Sequence, residues 1–427
     1  MRLDSLAACL GVTGNTGYTF DRAFIDSRNA GPQSLFFALP GSRTHGHDFV
    51  QDALSLGAAA VVSRKGFPGP VLVVPDTTEA LFHAGVWARS QFSCPVAAIT
   101  GSSGKTTTRE LLMLALGSVM SVDGTRGNLN NRLGLPLSLL NASKDASALV
   151  LELGMNHAGE LLSLGAAAAP DISVVTNVGT AHMEFFGSRD GIAHAKAELL
   201  RTTRTGGTAV IPVGEPILRD AAKERNLRVV TTGPGGDAWV EDGVLMPWRI
   251  MPGLSVPGGH NLENALSATL AAELLGVDPE TAVKAMEGYL GMPGRGRVLQ
   301  RCGFTVYDES YNANPDSTMA CLDLLAGSRE KGIAVLGDML ELGGLSAEAH
   351  RLVLERALEM GLRLVVLVGS AFEEVWRGDK GVSWVPDAGS ALELLKASVR
   401  EGDRVLVKGS HSLGLDSVVR GITGEGC

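Results

Sequence analysis

A chain of 427 residues is longer than one hydrophobic core ordinarily serves, so roughly two to four domains are expected. Its composition, 45% apolar and 19% charged, is that of a globular protein. With a net charge of −9 and no block of Lys and Arg to track a phosphate backbone, nucleic acid is excluded as a partner.

The chain opens "MRLDSLAACLGV", where Asp4 and the lack of a long apolar core make a poor signal peptide. No later run approaches the roughly 18 apolar residues of a membrane span. Cys9, Cys94, Cys302, Cys321 and Cys427 are scattered and form no C-x-x-C, which argues against a disulfide framework or a zinc ribbon. A cytoplasmic protein without membrane insertion is expected, acting as a monomer.

Residues 1–92 hold short apolar runs ("LFFAL", "AAAVVS", "PVLVV") separated by Gly, Pro and Asp, as in a small α/β domain. From residue 93 to 303 strand and helix alternate. The strands are "PVAAIT", "ALVLEL", "ISVVTNV", "GTAVIPV" and "LRVVTT", which implies a parallel sheet covered on both faces. Residues 237–256 lack helical periodicity and read as a small antiparallel insertion. A helix follows at "NLENALSATLAAELLG", stopped by Gly276. Residues 304–427 repeat the alternation with "FTVYD", "GIAVLGD", "RLVVLVG" and "DRVLVKG", the pattern of a separate doubly wound domain.

The most informative stretch is "VAAITGSSGKTTTRELL", residues 96–112. Strand, glycine-rich turn and helix form a cradle for phosphate. The spacing is shortened, because Ile99 stands where G-x-x-x-x-G-K-[ST] requires its first glycine. Amides of Gly101, Ser102, Ser103, Gly104 and Thr107 would hold a triphosphate. Lys105 would neutralise it and Thr106 would ligate Mg²⁺. Ligands of open α/β sheets sit beyond the carboxyl ends of the strands. The neighbouring strands end in Glu152, a hard oxygen ligand, and in Asn177 with His182. Taken alone, Glu152 could be a solvated edge residue and His182 an ordinary packed or surface histidine. Lys196, in "IAHAKAELL", could be a surface charge paired with Glu198.

"TGSSGKTTT" resembles the nucleotide loop of the Mur ligase superfamily, ATP-dependent amide-forming enzymes of peptidoglycan and polyglutamate synthesis. "IDSRNAGPQSLFFALPGSRTHGHDFVQDALSLGAAAVV" resembles the nucleotide-sugar domain of members that add the later stem-peptide residues. "GNLNNRLGLPLSLL", "LELGMNHAGE", "TNVGTAHMEFFGS", "HNLENALSATLAA", "YDESYNANPDSTM", "VLGDMLELG" and "VKGSHSLGLD" follow in family order. The resemblance implies a UDP-muramoyl-peptide-binding domain, a central P-loop-type ATPase domain and a Rossmann-like C-terminal ligase domain. The pair "SYNANP" and "GDMLELG" implies joining of D-alanyl-D-alanine to a UDP-N-acetylmuramoyl-tripeptide in peptidoglycan precursor synthesis. Two rivals remain. The ligase adding the third amino acid carries an Asp-Asn-Pro-Arg type stretch that is absent here. A non-catalytic nucleotide-binding homologue would not need Lys105, Thr106, Glu152, His182 and Lys196 together.

By the same resemblance, Glu152 and His182 lie around two Mg²⁺, and Lys196 is a lysine carbamylated by CO₂ into an anionic metal ligand. His260, Asn261 and Asn264 lie on the adenine side. Arg295, Asp308, Tyr311 and Asn314 contact the nucleotide from the domain junction. Ser27 and Arg28 contact the uridine diphosphate, Asn128 and Asn131 face the muramoyl-peptide, and Lys408 and Ser410 serve the incoming dipeptide. Two positions depart from the family pattern: His45 stands where Asp is usual, and His411 where Arg is usual.

Overall fold

A computed structural model describes residues 1–424 except 15, 16, 42, 43, 302, 329 and 330. Cys302 and Cys427 therefore lie outside the described residues, as do Ser42 and Arg43 of the nucleotide-sugar stretch.

Three sheets follow one another along the chain. The first comprises β1 (Arg22–Phe24), β2 (Ser34–Phe37), β3 (Ala59–Val62) and β4 (Val71–Val73), all parallel and in that spatial order. The second comprises β5 (Val96–Thr100), β6 (Val122–Gly124), β7 (Ala148–Glu152), β8 (Ile172–Val175), β9 (Thr208–Pro212) and β10 (Arg228–Thr232). Its order is β10-β9-β8-β5-β7-β6, again all parallel. Every residue of β5, β7 and β8 is buried, which is why these strands read as unbroken apolar runs instead of alternating ones. The expected antiparallel insertion is present as β11 (Trp239–Glu241) and β12 (Val244–Met246).

The third sheet comprises β13 (Arg297–Arg301), β14 (Phe304–Glu309), β15 (Gly332–Gly337), β16 (Leu364–Val368), β17 (Val382–Val385) and β18 (Arg404–Lys408). Its order is β13-β14-β18-β15-β16-β17. Only β13 runs antiparallel, against β14. The sheet thus starts at Arg297, ahead of Phe304. The polar edge sequence "RVLQR" has a single buried residue, Leu299, and gave no apolar run to read. Strands β1 and β17 are also too short and mixed to stand out.

The first two sheets share a core. Leu3, Phe20, Leu35 and Val61 of the first domain pack in one cluster with Leu135, Leu149, Leu161 and Leu199 of the central one. Gly85, on the helix Thr77–Ser90, lets the helix Gly134–Leu140 approach so closely that a Cβ would lie 2.5 Å from Pro136 Cα. Asn141 then brackets β1, accepting from Ala23 N at 2.7 Å and donating to Ala23 O at 2.8 Å. The third sheet keeps its own cores, one on each face. Among the described residues no helix is long and apolar enough to cross a membrane.

His350 anchors the third domain. It is fully buried, its Nε2 accepts from Met339 N at 2.9 Å, and its Nδ1 donates to Ser346 O at 2.7 Å. Burial pulls its pKa below the usual 6.5. The unfolded chain therefore takes up the proton first, and stability is lost as pH falls below that value. Thermal melting should drop between pH 7 and pH 5. His350→Gln should melt lower at pH 7 but lose less over the same interval; equal losses in the two proteins would show that His350 protonates at no cost.

Candidate active site

The loop between β5 and the helix Lys105–Gly117 needs glycine at both ends. A Cβ on Gly101 would lie 1.8 Å from Thr176 Oγ1, and one on Gly104 (φ +78°) 2.1 Å from Asn264 Oδ1. The end of β8 pins the loop from the side. Ser102 N donates to Asn177 O at 3.2 Å and Ser103 N to Asn177 Oδ1 at 3.0 Å. Thr176 Oγ1 donates to Ser103 O at 2.6 Å. The backbone is thus fixed before any ligand arrives.

Lys105 curls back over this loop and donates to Gly101 O at 2.7 Å. Burial brings its pKa down to about 8; Glu152 opposes the shift and Arg295 adds to it. Glu152 is no solvated edge residue. It is fully buried, accepts from Arg109 Nη1 at 3.0 Å and from Asn130 Nδ2 at 2.7 Å, and its N–H donates to Thr125 Oγ1 at 3.0 Å. Neither Arg109 nor Asn130 was singled out from the sequence. The available signal was a charged residue on the apolar face of the loop helix, next to buried Thr108, Leu111 and Leu112.

Lys196 is 1% exposed and makes no hydrogen bond or ion pair among the described residues. The surface pairing with Glu198 does not form. Glu198 instead accepts from Gly159 N at 2.7 Å and Leu162 N at 3.1 Å, capping the helix Glu160–Ala168. Burial, and then the Lys105 charge, hold the Lys196 pKa well below the ordinary lysine value. His182 is held low by burial and by the same Lys105. Three basic groups thus converge, with Glu152 beside Lys105, Glu341 on His182 and, among the described residues, no carboxylate on Lys196, a setting that favours a polyanion.

The third domain closes the other side. Arg295 Nη1 donates to Thr106 Oγ1 at 2.5 Å, and its guanidinium lies 3.8 Å from the centroid of the Tyr311 ring. His411 stacks against Tyr311 at 5.1 Å. Thr180 donates to Asp316 Oδ2 through N (2.7 Å) and Oγ1 (2.9 Å). Lys408 Nζ, nearly buried, donates to Asn312 O at 3.0 Å.

Together these walls enclose a cleft of about 1500 Å³. Ser102, Ser103, Gly104, Lys105, Thr107, Asn128, Asn131, Glu152, His182, His260, Asn261, Asn264, Arg295, Tyr311, Asn314 and Lys408 all line it. Ser410 lines a neighbouring cavity of about 300 Å³, shared with His182, Glu341 and His411. Gly101, Thr106 and Lys196 are buried among the walls, though none of them lines the cleft.

Other expected residues sit outside the cleft or spend an oxygen on nearby backbone or side-chain donors. The carboxylate of Asp308 is taken by Gly294 N at 2.7 Å and Ser310 Oγ at 2.6 Å, so it shapes the "GMPGRG" loop instead of reaching a ligand. Asn131 Oδ1 accepts from Leu133 N and Gly134 N at 3.1 and 2.9 Å. Ser27 and Arg28 lie on the first domain, outside the cleft, with Arg28 paired to Asp26 at 2.5 Å. His45 caps its own turn, accepting from His47 N at 3.4 Å.

The residues fit a nucleoside triphosphate with a hard metal. The amides of Gly104, Lys105 and Thr106 head a helix, the glycines let Thr176 and Asn264 pack against the loop, and Glu152 and His182 offer oxygen and imidazole donors from the cleft wall beside the Thr106 hydroxyl that Arg295 engages. The compact group His260, Glu309 and Cys321 suits a metal less well. Burial pushes the Cys321 thiol up to about 12, so the thiolate needed for ligation is disfavoured.

The comparisons with known proteins agree with this architecture. The Mur ligase middle domain matches residues 99–272, the Mur ligase glutamate ligase domain residues 294–411, and the Mur ligase family catalytic domain residues 22–70. The UDP-N-acetylmuramoyl-tripeptide–D-alanyl-D-alanine ligase of Mycobacterium tuberculosis (strain CDC 1551 / Oshkosh) is 33% identical over 94% of this chain and 92% of its own. A crystal structure of MurF from Acinetobacter baumannii superposes with a TM-score of 0.87 at 30% identity, covering 99% of both chains. MurF ligase from Thermotoga maritima in complex with ADP gives 0.81 at 30% identity, over 95% of this chain and 97% of that one. Fold, cleft and relatives coincide, and the chain belongs to the Mur ligase family, among its UDP-N-acetylmuramoyl-tripeptide–D-alanyl-D-alanine ligases.

Proposed function

We propose that this chain joins D-alanyl-D-alanine to UDP-N-acetylmuramoyl-tripeptide at the expense of ATP, in the cytoplasmic synthesis of peptidoglycan precursors. The observation that carries this reading is the contact of Arg295 with Thr106. Through it the phosphate loop opens onto a cleft whose far wall, Tyr311 and Lys408, belongs to another domain. A kinase-like site facing a second substrate surface is what an acyl-phosphate ligase needs.

The terminal carboxylate of the tripeptide attacks the γ-phosphate of ATP, giving an acyl phosphate and ADP. The amine of D-Ala-D-Ala adds to that carbonyl carbon and loses a proton, and the tetrahedral intermediate expels phosphate as the amide forms. A free carboxylate is a poor electrophile, and phosphate leaves far more readily than oxide. Lys105 and the amides at the start of the helix Lys105–Gly117 hold the transferred phosphoryl group, those of Ser102 and Ser103 being spent on Asn177, and most of the catalysis is placement and charge neutralisation. The cleft excludes water from the acyl phosphate when the third domain is docked. Thr106, Glu152 and His182 would hold Mg²⁺, whose contribution when bound is to neutralise phosphate charge. His260, Asn261 and Asn264 take the adenine side, while Asn128 and Asn131 meet the muramoyl-peptide. Phosphate release should require ATP, UDP-muramoyl-tripeptide and D-Ala-D-Ala together; full release without the dipeptide would overturn the assignment.

Lys105→Ala should leave the fold intact and lower kcat by ~10²–10³-fold or more, the cost of removing a preorganised phosphate donor. Near-normal turnover in that variant would remove the phosphate-loop assignment.

Lys196 fits a carbamate. As a neutral amine it can attack CO₂, forming an N–C bond and releasing one proton to solvent. A buried, unpaired amine thereby becomes an anion with two hard oxygens, suited to Mg²⁺. Lys196→Ala should lose activity that acetate partly restores, and Lys196→Glu should retain more than Lys196→Arg. Wild-type activity in Lys196→Arg would show the residue to be an ordinary cation.

A further inference from the structure

Seven non-glycine residues among those described have positive φ. Two of them, His182 (φ +64°) and Glu341 (φ +62°), face each other across the junction of the central and third domains. Glu341 Oε2 accepts from His182 Nδ1 at 2.5 Å. Beside this contact, Glu184 N donates to Glu341 O at 3.1 Å. Such backbone persists only where the surroundings hold it, and it collects at functional sites.

The loop that carries Glu341 is shaped inside the third domain. Asp338 accepts from Ala371 N and Phe372 N, each at 3.0 Å. Met339 N donates to His350, and Leu340 N donates to Ser410 Oγ at 3.0 Å. Glu341 is thereby aimed out of its own domain at a ring belonging to the next one. That ring lines the cleft, and its Nε2 has no hydrogen-bond partner among the described residues. A neutral imidazole carries one ring proton. A carboxylate on Nδ1 fixes the proton there and leaves a lone pair on Nε2.

We propose that Glu341 is a positioning residue: it sets the tautomer and the orientation of His182, and does so only while the third domain is docked. Assembly of the cleft and readiness of His182 are then one event. The inference rests on the reading above, in which His182 serves the phosphoryl-transfer site.

The test uses the full chain with ¹⁵N-labelled histidine and three variants. Glu341→Asn tolerates positive φ but is too short to reach the ring; Glu341→Gln keeps an oxygen acceptor at the right distance; His182→Gln assigns the signal. The wild type and Glu341→Gln should show the Nδ1–H tautomer, and Glu341→Asn should move towards Nε2–H. In the ligase assay Glu341→Asn should lose ~10–100-fold in kcat, with KM for ATP and D-Ala-D-Ala within about threefold, and Glu341→Gln should recover most of it. An unchanged tautomer in Glu341→Asn overturns the proposal, as does a rise in KM with kcat intact, which would mark a mere clamp between domains. If the tautomer shifts while the wild-type chain fails to join dipeptide to tripeptide, the inference stands and the assigned reaction alone falls.

Discussion

The buried ion pair between Arg109 and Glu152 is the interaction on which the rest of the site depends. Both side chains are essentially without solvent, with side-chain exposures of 0% and 1%. Removing either partner would strand a charge at a cost of about 3–5 kcal/mol. The pair ties the helix that follows the phosphate loop to the end of β7, two elements that must stay in register for the cradle to exist. It also leaves Glu152 as the carboxylate opposing the desolvation of Lys105. Asn130 and Thr125 complete the hydrogen bonding around Glu152, so the charge is held in place instead of seeking water.

Around that fixed point the domains join in two different ways. The first and central domains share a continuous apolar core and are sealed by the Gly85–Pro136 approach and the Asn141 bracket. Separating them would expose that surface to water. The third domain meets the centre through polar contacts: Arg295 with Thr106, Asp316 with Thr180, and Glu341 with His182. Polar pairs can be exchanged for water at little net cost. A rigid pair of domains with a third held by exchangeable contacts suits an enzyme that must admit three substrates and then exclude water.

Much of this was legible in the sequence. The buried strands β5, β7 and β8 are continuous apolar runs because both faces are covered, so their ends alone locate Lys105, Glu152 and Asn177 in one place. The glycines of "TGSSGKT" announced a turn that only glycine can make. Local chemistry of this kind is readable because the backbone itself imposes it. Strand β13, by contrast, exists only through its pairing with β14 and carries no periodicity of its own.

Tertiary structure alone decided how charges were partnered. Glu198 read as a surface partner for Lys196, yet it caps another helix. Lys196 is left without an anion because its face of the helix Arg189–Thr202 is turned into the protein. Asp308 resembled a ligand contact but spends its oxygens on Gly294 and Ser310. Arg109, Asn130 and Glu341 lie 43, 22 and 159 residues from the groups they hold, Glu152 for the first two and His182 for the third. Sequence determined the strands, the turns and the chemistry available at their ends, since those follow from neighbours in the chain. Which charge met which was fixed only by packing, because that depends on distances through space and on the exclusion of water.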